Sequence, residues 1–191
     1  AHILDLAVYT PLEVARFPKH YLVGNGSKSF SWLRKNRPAE IDTLERKILE
    51  ALAENCRQPN TQIAETLGTT PAVVTYRIAK MEEEGVILGY RTQLDYEKLG
   101  ITVFKVFREL RDYSPKLREE IFGYCRSEPR CTCYINQIGS AQIEFEVEVD
   151  NYYDFVALIE AFKVRFAESL GRSEYMLIKQ DYFHRIPQTS K

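Results

Sequence analysis

The stretch from Thr61 to Gly85 constrains the fold of this chain more than any other part of its sequence. Its pattern predicts a short helix, a tight turn and a longer helix. Gly68 is typical of a helix stop. Thr70 and Pro71 are typical of the N-cap and the first position of the next helix. The apolar face of the first helix is formed by Ile63, Ala64 and Leu67.

The second helix of this pair has two faces of different character. Val74, Ile78 and Met81 recur at helical spacing, so this stripe is expected to point inward. The opposite face carries small, hydroxylated or cationic residues: Ala72, Thr75, Tyr76, Ala79 and Lys80. Such a face suits a DNA groove, as in the second helix of a helix-turn-helix. An ordinary helical hairpin with a solvated face is the alternative.

Elements on both sides of this pair favour a winged helix-turn-helix. A preceding helix is predicted from Asp42 to about Asn55, with Asp42 and Glu45 as a cap pair and an inward stripe formed by Leu44, Ile48 and Leu52. Asn60 or Thr61 is expected to cap the next helix. Residues 86–90 and 91–94 are expected to form a two-stranded wing.

The second half of the chain alternates strands and helices in the order βαββαβ. Strands are predicted over 101–110, 131–138, 142–149 and 173–180, with helices beginning at Ser114-Pro115 and spanning 152–170. This order is typical of a ferredoxin-like unit, an antiparallel sheet with helices on one face. The predicted fold class is therefore α+β, with a winged helix-turn-helix domain followed by a ferredoxin-like domain.

Several of these segments together resemble the Lrp/AsnC ("feast/famine") family of prokaryotic transcription regulators. The matching segments are Ile41-Asp42, Ile48-Leu49, Ile63-Ala64, Tyr76-Arg77-Ile78, Met81-Glu82 and Gly85-Val86-Ile87 with Gly89-Tyr90. The resemblance runs from Ile41 to about Gln180. It implies a DNA-binding domain over 41–98, an effector-binding and oligomerisation domain over 99–182 and a tail over 183–191.

The resemblance also implies which residues meet double-stranded DNA. Thr70, Ala72, Thr75 and Tyr76, with Thr69 beside them, are expected at base edges, and Arg77, Lys80 and Arg91 at phosphates. The charge distribution is unusual for this role. Residues 41–91 carry six Lys/Arg against eight Asp/Glu, whereas DNA-binding domains usually have a basic surface. Affinity would then come from a few placed cations, or from several copies in one oligomer.

The turn formed by Gly139, Ser140, Ala141 and Gln142 is the expected effector-binding segment. In the family this turn often reads Gly-x-x-Asp and lies beside a small-molecule site at a subunit interface. Gln142 replaces the acid here, so an amino group of an effector would lose a charged partner. Gly139 also fits the simpler interpretation that a hairpin turn requires glycine.

Residues 143–149 show the most regular alternation in the chain. Period two places Glu144, Glu146 and Glu148 on the sheet face away from the helices. Lys105 on the neighbouring strand and Lys179 on the next strand out could pair with them. We expect this acidic ladder to line a homo-oligomer interface of the C-terminal domain; a solvated sheet face is the alternative.

Residues 1–40 fall outside one family unit. Residues 3–9 read as a strand, the prolines at 11 and 18 and the glycine-rich run at 24–29 are expected to break regular structure, and residues 28–37 read as a basic linker. A faint echo relates Leu6–Tyr21 to Met176–Arg185. This echo suggests that residues 1–40 are the end of a preceding tandem copy of the domain. An unrelated N-terminal extension is the alternative.

The remaining composition argues against other classes of protein. The sequence contains no apolar run long enough for a membrane span, and its four cysteines, none at paired secretory spacing, are typical of a reducing cytoplasm. Cys131 and Cys133 lack a second ligand pair, so no metal or cofactor is expected. A tetrapyrrole (sirohaem) decarboxylase-like enzyme of the same architecture is an alternative, disfavoured because no histidine lies between His20 and His184. The third alternative is an oligomerisation module that no longer binds DNA.

Overall fold

The computed structural model describes residues 6–23, 30–33, 39–90 and 92–179. The chain divides into two compact units. Of the described residues, those within 6–33 and 94–179 form the sheet unit, and those within 39–93 form the helical unit. In the described residues no helix is long and apolar enough to cross a bilayer.

The helical unit is a three-helix arrangement around a small apolar core. Its helices are α2 (Thr43–Glu54), α3 (Asn60–Leu67) and α4 (Pro71–Glu83). One apolar residue of α2, two of α3 and two of α4 are almost fully buried, namely Ile48, Ile63, Ala64, Val74 and Met81. The inward stripes predicted for the three helices are confirmed, since the other stripe residues pack against this core.

Local signals at the helix ends act largely as the sequence predicts. Asp42 and Glu45 form a reciprocal capping box, and Thr70 caps α4 ahead of Pro71. Gly68 ends α3 with φ of 66°, a left-handed conformation that glycine adopts without a steric penalty. The predicted cap of α3 is wrong. Pro59 holds that position, without a side-chain hydrogen bond, because α3 already begins at residue 60.

The predicted two-stranded wing is wrong for the described residues, which form no strand over 86–90 and 92–94. The backbone folds back on the end of α4 instead. The amides of Val86 and Ile87 both donate to the carbonyl of Met81, and the two side chains pack on the helical core. The hydroxyl of Tyr90 donates to Glu82 at 2.9 Å. These local bonds compete with strand pairing.

The sheet unit contains the βαββαβ core predicted from the sequence. Its strands and helices are β3 (Thr102–Leu110), α6 (Pro115–Ser127), β4 (Cys131–Ile138), β5 (Ile143–Val149), α7 (Tyr152–Phe166) and β6 (Leu170–Ile178). The short helix α5 (Tyr96–Leu99) precedes them. The four core strands are antiparallel neighbours in the order β4-β5-β3-β6. The ferredoxin-like fold is thus confirmed.

The N-terminal segment extends this sheet, contrary to prediction. Residues 6–9 form no strand. The segment instead contains, in chain order, strand β1 (Thr10–Arg16), a short helix α1 (His20–Val23) and strand β2 (Phe30–Leu33). β1 pairs with β4, and β2 pairs with β1 at the sheet edge. Pro11 is accommodated because the register shifts beside it. The predicted linker is therefore wrong at 30–33; residues 1–5, 24–29 and 34–38 lie outside the description.

An aromatic core fixes the helices of the sheet unit on one face of the sheet. The rings of Phe104 and Phe155 stack at 3.9 Å between centroids, and Phe162 lies 5.1 Å from Phe145. The predicted inward faces of β5 and α7 meet in these contacts. The opposite face of β5 therefore carries Glu144, Glu146 and Glu148, as the alternation requires.

Candidate nucleic-acid interface

The outer face of α4 is open to solvent. Thr70, Ala72, Thr75 and Tyr76 are all exposed, and Thr69 is half-buried at the preceding turn. Tyr76 is 66% exposed, a large fraction for an aromatic side chain. The structure thus brings the predicted base-reading residues together on one surface.

The hydroxyl of Thr75 is already engaged by the helical unit itself. It donates to the carbonyl of Pro71 at 2.9 Å and accepts from Nδ2 of Asn60 at 2.9 Å. Asn60 therefore joins the first turn of α3 to the exposed face of α4. Sequence reasoning considered Asn60 only as a helix cap, and no periodicity in the sequence indicates this cross-helix contact.

The cations of α4 are held by a buried carboxylate. Oε1 of Glu45 lies 2.8 Å from Nη1 of Arg77 and 3.1 Å from Nζ of Lys80. The same guanidinium nitrogen lies 2.6 Å from Oδ2 of Asp42. Glu45 is only 2% exposed although it is charged. We call Glu45, Arg77 and Lys80 the α2–α4 clamp.

The clamp perturbs the titration of its members. The backbone amide of Asp42 and the guanidinium of Arg77 donate to Glu45 and lower the pKa of its carboxyl to about 2. In turn, the hydrogen bonds to Glu45 raise the pKa values of Arg77 and Lys80. All three groups are consequently charged across the physiological pH range.

Two of the three cations predicted to contact phosphates are therefore not free on the surface of the helical unit. Arg77 and Lys80 are ion-paired within the helical unit, and Arg91 lies outside the described residues. Arg46, Lys47 and Arg57 make no side-chain ion pair with any described residue, and the last two are exposed. Whether Arg77, Lys80 and Arg91 contact phosphates stays a prediction.

In the sheet unit, the turn at residues 139–142 is closed by its own hydrogen bonds. Nε2 of Gln142 donates to the carbonyl of Gly139 at 3.2 Å, and Oε1 accepts from the amide of Leu110 at 2.9 Å. The hydroxyls of Tyr9 and Ser140 lie 3.1 Å apart. Gly139 has φ of 156°, and a Cβ built there would lie 2.4 Å from Cδ1 of Tyr9, so glycine is required on two grounds.

A cavity of about 320 Å³ opens beside this turn. Its walls combine two aromatic rings with both signs of charge and come from four segments of the sheet unit: Tyr9, Phe107, Glu109, Ser140, Ala141, Gln142, Arg172 and Glu174. The rings of Tyr9 and Phe107 stack at 5.5 Å. Tyr9 was missed by sequence reasoning because nothing local relates it to residues far along the chain.

The acidic ladder of β5 is satisfied inside the chain. Nζ of Lys105 lies 2.8 Å from Glu144 and 3.4 Å from Glu146, which confirms the predicted cross-strand pairing for this lysine. Arg16 of β1 adds a pair to Glu146 at 2.6 Å. The alternative of a solvated face is wrong, because Glu144 and Glu148 are 6% and 2% exposed.

Glu148 accepts from four neighbouring groups. Lys19 and the hydroxyl of Tyr21 bond to it from the N-terminal segment. The hydroxyls of Tyr96 and Thr132 bond to it at 2.8 Å and 3.1 Å. Burial and the bond to Glu148 raise the pKa of Tyr21 well above its usual value, so this hydroxyl stays protonated as a donor. The N-terminal segment thus covers part of the face assigned to a partner subunit.

The cysteines of the sheet unit are buried thiols. Cys125, Cys131 and Cys133 are at most 2% exposed. Burial raises the pKa of Cys131 and of Cys133, which keeps both thiols protonated. Within the described residues, no group of three or more His, Cys, Asp or Glu side chains could hold a metal ion.

Comparisons with known proteins identify the class to which this architecture belongs. The family model for winged helix-turn-helix DNA-binding domains matches residues 41–87. An uncharacterised HTH-type transcriptional regulator of Pyrococcus furiosus is 35% identical over 104 residues, which cover 54% of this chain and 69% of the relative. The regulatory protein AsnC of Haemophilus influenzae is 30% identical over 83 residues, 41% of this chain and 55% of that protein.

Solved structures show the same fold. Escherichia coli AsnC superposes with a TM-score of 0.61 at 24% identity, covering 78% of this chain and 99% of that one. A Neisseria meningitidis transcriptional regulator, solved as an L-Met complex, gives a TM-score of 0.67 at 17% identity, covering 78% and 98%. The chain is thus a helix-turn-helix transcriptional regulator that binds DNA. Within that class it belongs to the Lrp/AsnC family.

The clamp gives a pH-dependent contribution to stability. Because the pKa of Glu45 is lowered on folding, its contribution is fully present above the ordinary glutamate pKa near 4.5 and is lost as pH falls toward about 2. We expect Glu45→Gln to destabilise the helical unit at pH 6 by about 1–3 kcal/mol, the scale of a hydrogen bond to a charged group. The difference from wild type should shrink steadily between pH 5 and pH 2, as acid removes the same charge.

Urea denaturation of both proteins, followed by helical circular dichroism at several pH values, measures this difference. Glu83→Gln serves as the control, because Glu83 is an exposed carboxylate at the end of α4. A constant difference between Glu45→Gln and wild type from pH 6 to pH 2 would contradict the assignment.

Proposed function

We propose that this regulator recognises a specific duplex DNA sequence with the exposed face of α4. The observation that carries the proposal is the contrast between the two sides of this helix. Val74 and Met81 are fully buried and fix the helix on its unit, while Ala72, Thr75 and Tyr76 remain exposed. Small and hydroxylated side chains permit close approach to base edges in the major groove.

Tyr76 and Thr75 have different roles in this proposal. Tyr76 offers an unburied ring and hydroxyl to the DNA, with apolar contact to a thymine methyl as one available interaction. The Thr75 hydroxyl is shared with Asn60, so Asn60 and Thr75 would meet DNA as a fixed pair. Thr70 at the start of α4, with Thr69 before it in the turn, is proposed to meet base edges beside this pair.

Tyr76→Ala should alter sequence preference. We expect the affinity for the preferred site to fall by about 1–3 kcal/mol, the usual scale of a lost base contact. Binding to random-sequence duplex should change little. Selection of bound fragments from a genomic library, followed by gel-shift titration of the preferred site, measures both quantities.

Tyr153→Ala is the matched control, since Tyr153 is an 84% exposed tyrosine on α7 of the sheet unit. An identical sequence preference in wild type and Tyr76→Ala would refute the proposed role of this face.

The sheet unit is proposed to join copies of the chain. The support is the exposed apolar side chains of β6, where Met176 is 50% exposed on one face of the sheet and Tyr175 and Leu177 are 49% and 60% exposed on the other. Met176 is the Cα partner of Lys105 and therefore lies on the same sheet face as the acidic ladder. Because Glu144 and Glu148 are already buried in one chain, a partner would contact Met176 more directly than those carboxylates.

Met176→Asp is expected to reduce the oligomer, since it puts a charge into an apolar contact that excludes water. Light scattering of the full chain at micromolar concentration should show a lower mass than for wild type. Val164→Asp provides the control, because Val164 is 79% exposed on α7. If Met176→Asp keeps the wild-type mass, β6 is not the interface.

A small-molecule effector is proposed for the cavity beside Gly139. Support comes from its mixed lining: the carboxylates of Glu109 and Glu174 suit an amino group, and Arg172 suits a carboxylate. An amino acid satisfies both requirements. The L-Met complex of the Neisseria meningitidis regulator is consistent with this chemical class. The bonds of Gln142 within the turn make it a support for the cavity wall.

Thermal unfolding in millimolar concentrations of each common amino acid tests this proposal. We expect at least one to raise the Tm of the wild-type chain, and Arg172→Gln to abolish that shift by removing the carboxylate partner. Arg126→Gln, an exposed arginine on α6, should retain it. If every amino acid leaves the wild-type Tm unchanged, the cavity does not take this class of ligand.

A further inference from the structure

The α2–α4 clamp occupies two cations that lie close to the proposed base-reading residues. Arg77 immediately follows Tyr76, and Lys80 lies three residues further along α4. Side chains three apart on a helix share one side, so both cations reach toward the same carboxylate of Glu45. Their side chains are only 28% and 34% exposed.

A phosphate would have to compete with Glu45 for these cations. Glu45 is 2% exposed while both cations cover it, and a cation that leaves takes away one of its bonding partners. A buried carboxylate without its partners is strongly unfavourable, whereas a phosphate contact at the surface is made in water and is screened by salt. The pairing inside the unit is therefore the stronger of the two. Asp42 holds Arg77 further, through its own contact at 2.6 Å.

The fixed position of Glu45 removes any easy rearrangement. Its Oε2 accepts from the backbone amide of Asp42 at 3.0 Å, which ties the carboxylate to the first turn of α2. Its other oxygen meets both cations. Glu45 is thus bonded to the start of α2 through one oxygen and to α4 through the other, so it also fixes the position of α4 relative to α2.

We propose that Glu45 is a positioning residue that withholds Arg77 and Lys80 from DNA phosphates and so keeps sequence-independent affinity low. The inference rests on the proposed DNA recognition by α4. It explains how a unit with more acids than bases can still discriminate between sequences. With these two cations neutralised, binding depends on base contacts and on the number of copies that act together.

Glu45→Gln tests this proposal in the full chain. Glutamine is accepted at the third position of a capping box, so the start of α2 should persist. Binding to a random-sequence 30-base-pair duplex is measured by fluorescence anisotropy between 50 and 300 mM salt, a range chosen about the physiological value. We expect the slope of log K against log salt to steepen by about 1 to 2 units, and affinity at 100 mM salt to rise at least about fivefold.

Two matched variants separate release of the cations from a change in net charge. Glu83→Gln changes the net charge of the helical unit by the same amount as Glu45→Gln but leaves the clamp intact, so its slope should match wild type. Glu45→Gln combined with Arg77→Gln and Lys80→Gln should lose the gain, because the released cations are then absent. Circular dichroism confirms that each variant retains its helices.

The salt slope of Lys80→Gln in the otherwise native chain is an independent test of the clamp. The clamp predicts an unchanged salt slope, because Arg77 still pairs with Glu45 and Lys80 contributes no phosphate contact. A slope flatter by about 1 unit would overturn the proposal and support a direct phosphate contact by Lys80.

The outcomes for Glu45→Gln also distinguish this proposal from the proposed function. If wild type binds DNA and the Glu45→Gln slope equals that of wild type, the clamp proposal fails while DNA recognition stands. If neither protein binds any duplex, both fail. A steeper slope that persists in the triple variant, which lacks both cations, would show that other groups make the added phosphate contacts and would overturn the clamp.

Discussion

A carboxylate removed from water needs a cation or several donors, and this requirement organises both units of the structure. In the helical unit, Glu45 is met by groups that lie 32 and 35 residues further along the chain. In the sheet unit, Glu146 and Glu148 are met by Arg16 and Lys19, which lie 130 and 129 residues earlier in the chain. Each buried acid therefore joins elements that are remote in sequence.

Such pairings contribute more to the arrangement of elements than to net stability. The gain from a buried ion pair is offset by the loss of hydration, whereas removal of one partner leaves a costly unpaired charge. Hydrophobic stripes alone permit α4 to rotate or slide somewhat on its neighbours. A carboxylate fixed by the capping box of α2 permits far fewer positions, since it must reach both Arg77 and Lys80.

The local part of this fold was readable from the sequence. Caps at Asp42 and Thr70, the stop at Gly68 and the alternation of β5 each depend on residues a few positions apart, and the structure has all of them. The features that the sequence did not predict have a common origin. β1, the contact of Asn60 with Thr75 and the cover of Tyr9 over Gly139 are formed by residues distant along the chain, for which no periodicity gives a signal. The predicted wing strands are absent from the described residues because the amides of Val86 and Ile87 bond to the end of α4 instead.

The pairing of β1 with β4 has a topological consequence. The sheet unit is built from two separate lengths of chain, and residues 36–93 enter the sequence between them. The helical unit is therefore an insertion, joined to its host by a connection at each end. A protease that cuts one connection leaves the units attached through the other. The cut also leaves β1 hydrogen-bonded to β4, so release of an independent DNA-binding fragment requires two cleavages.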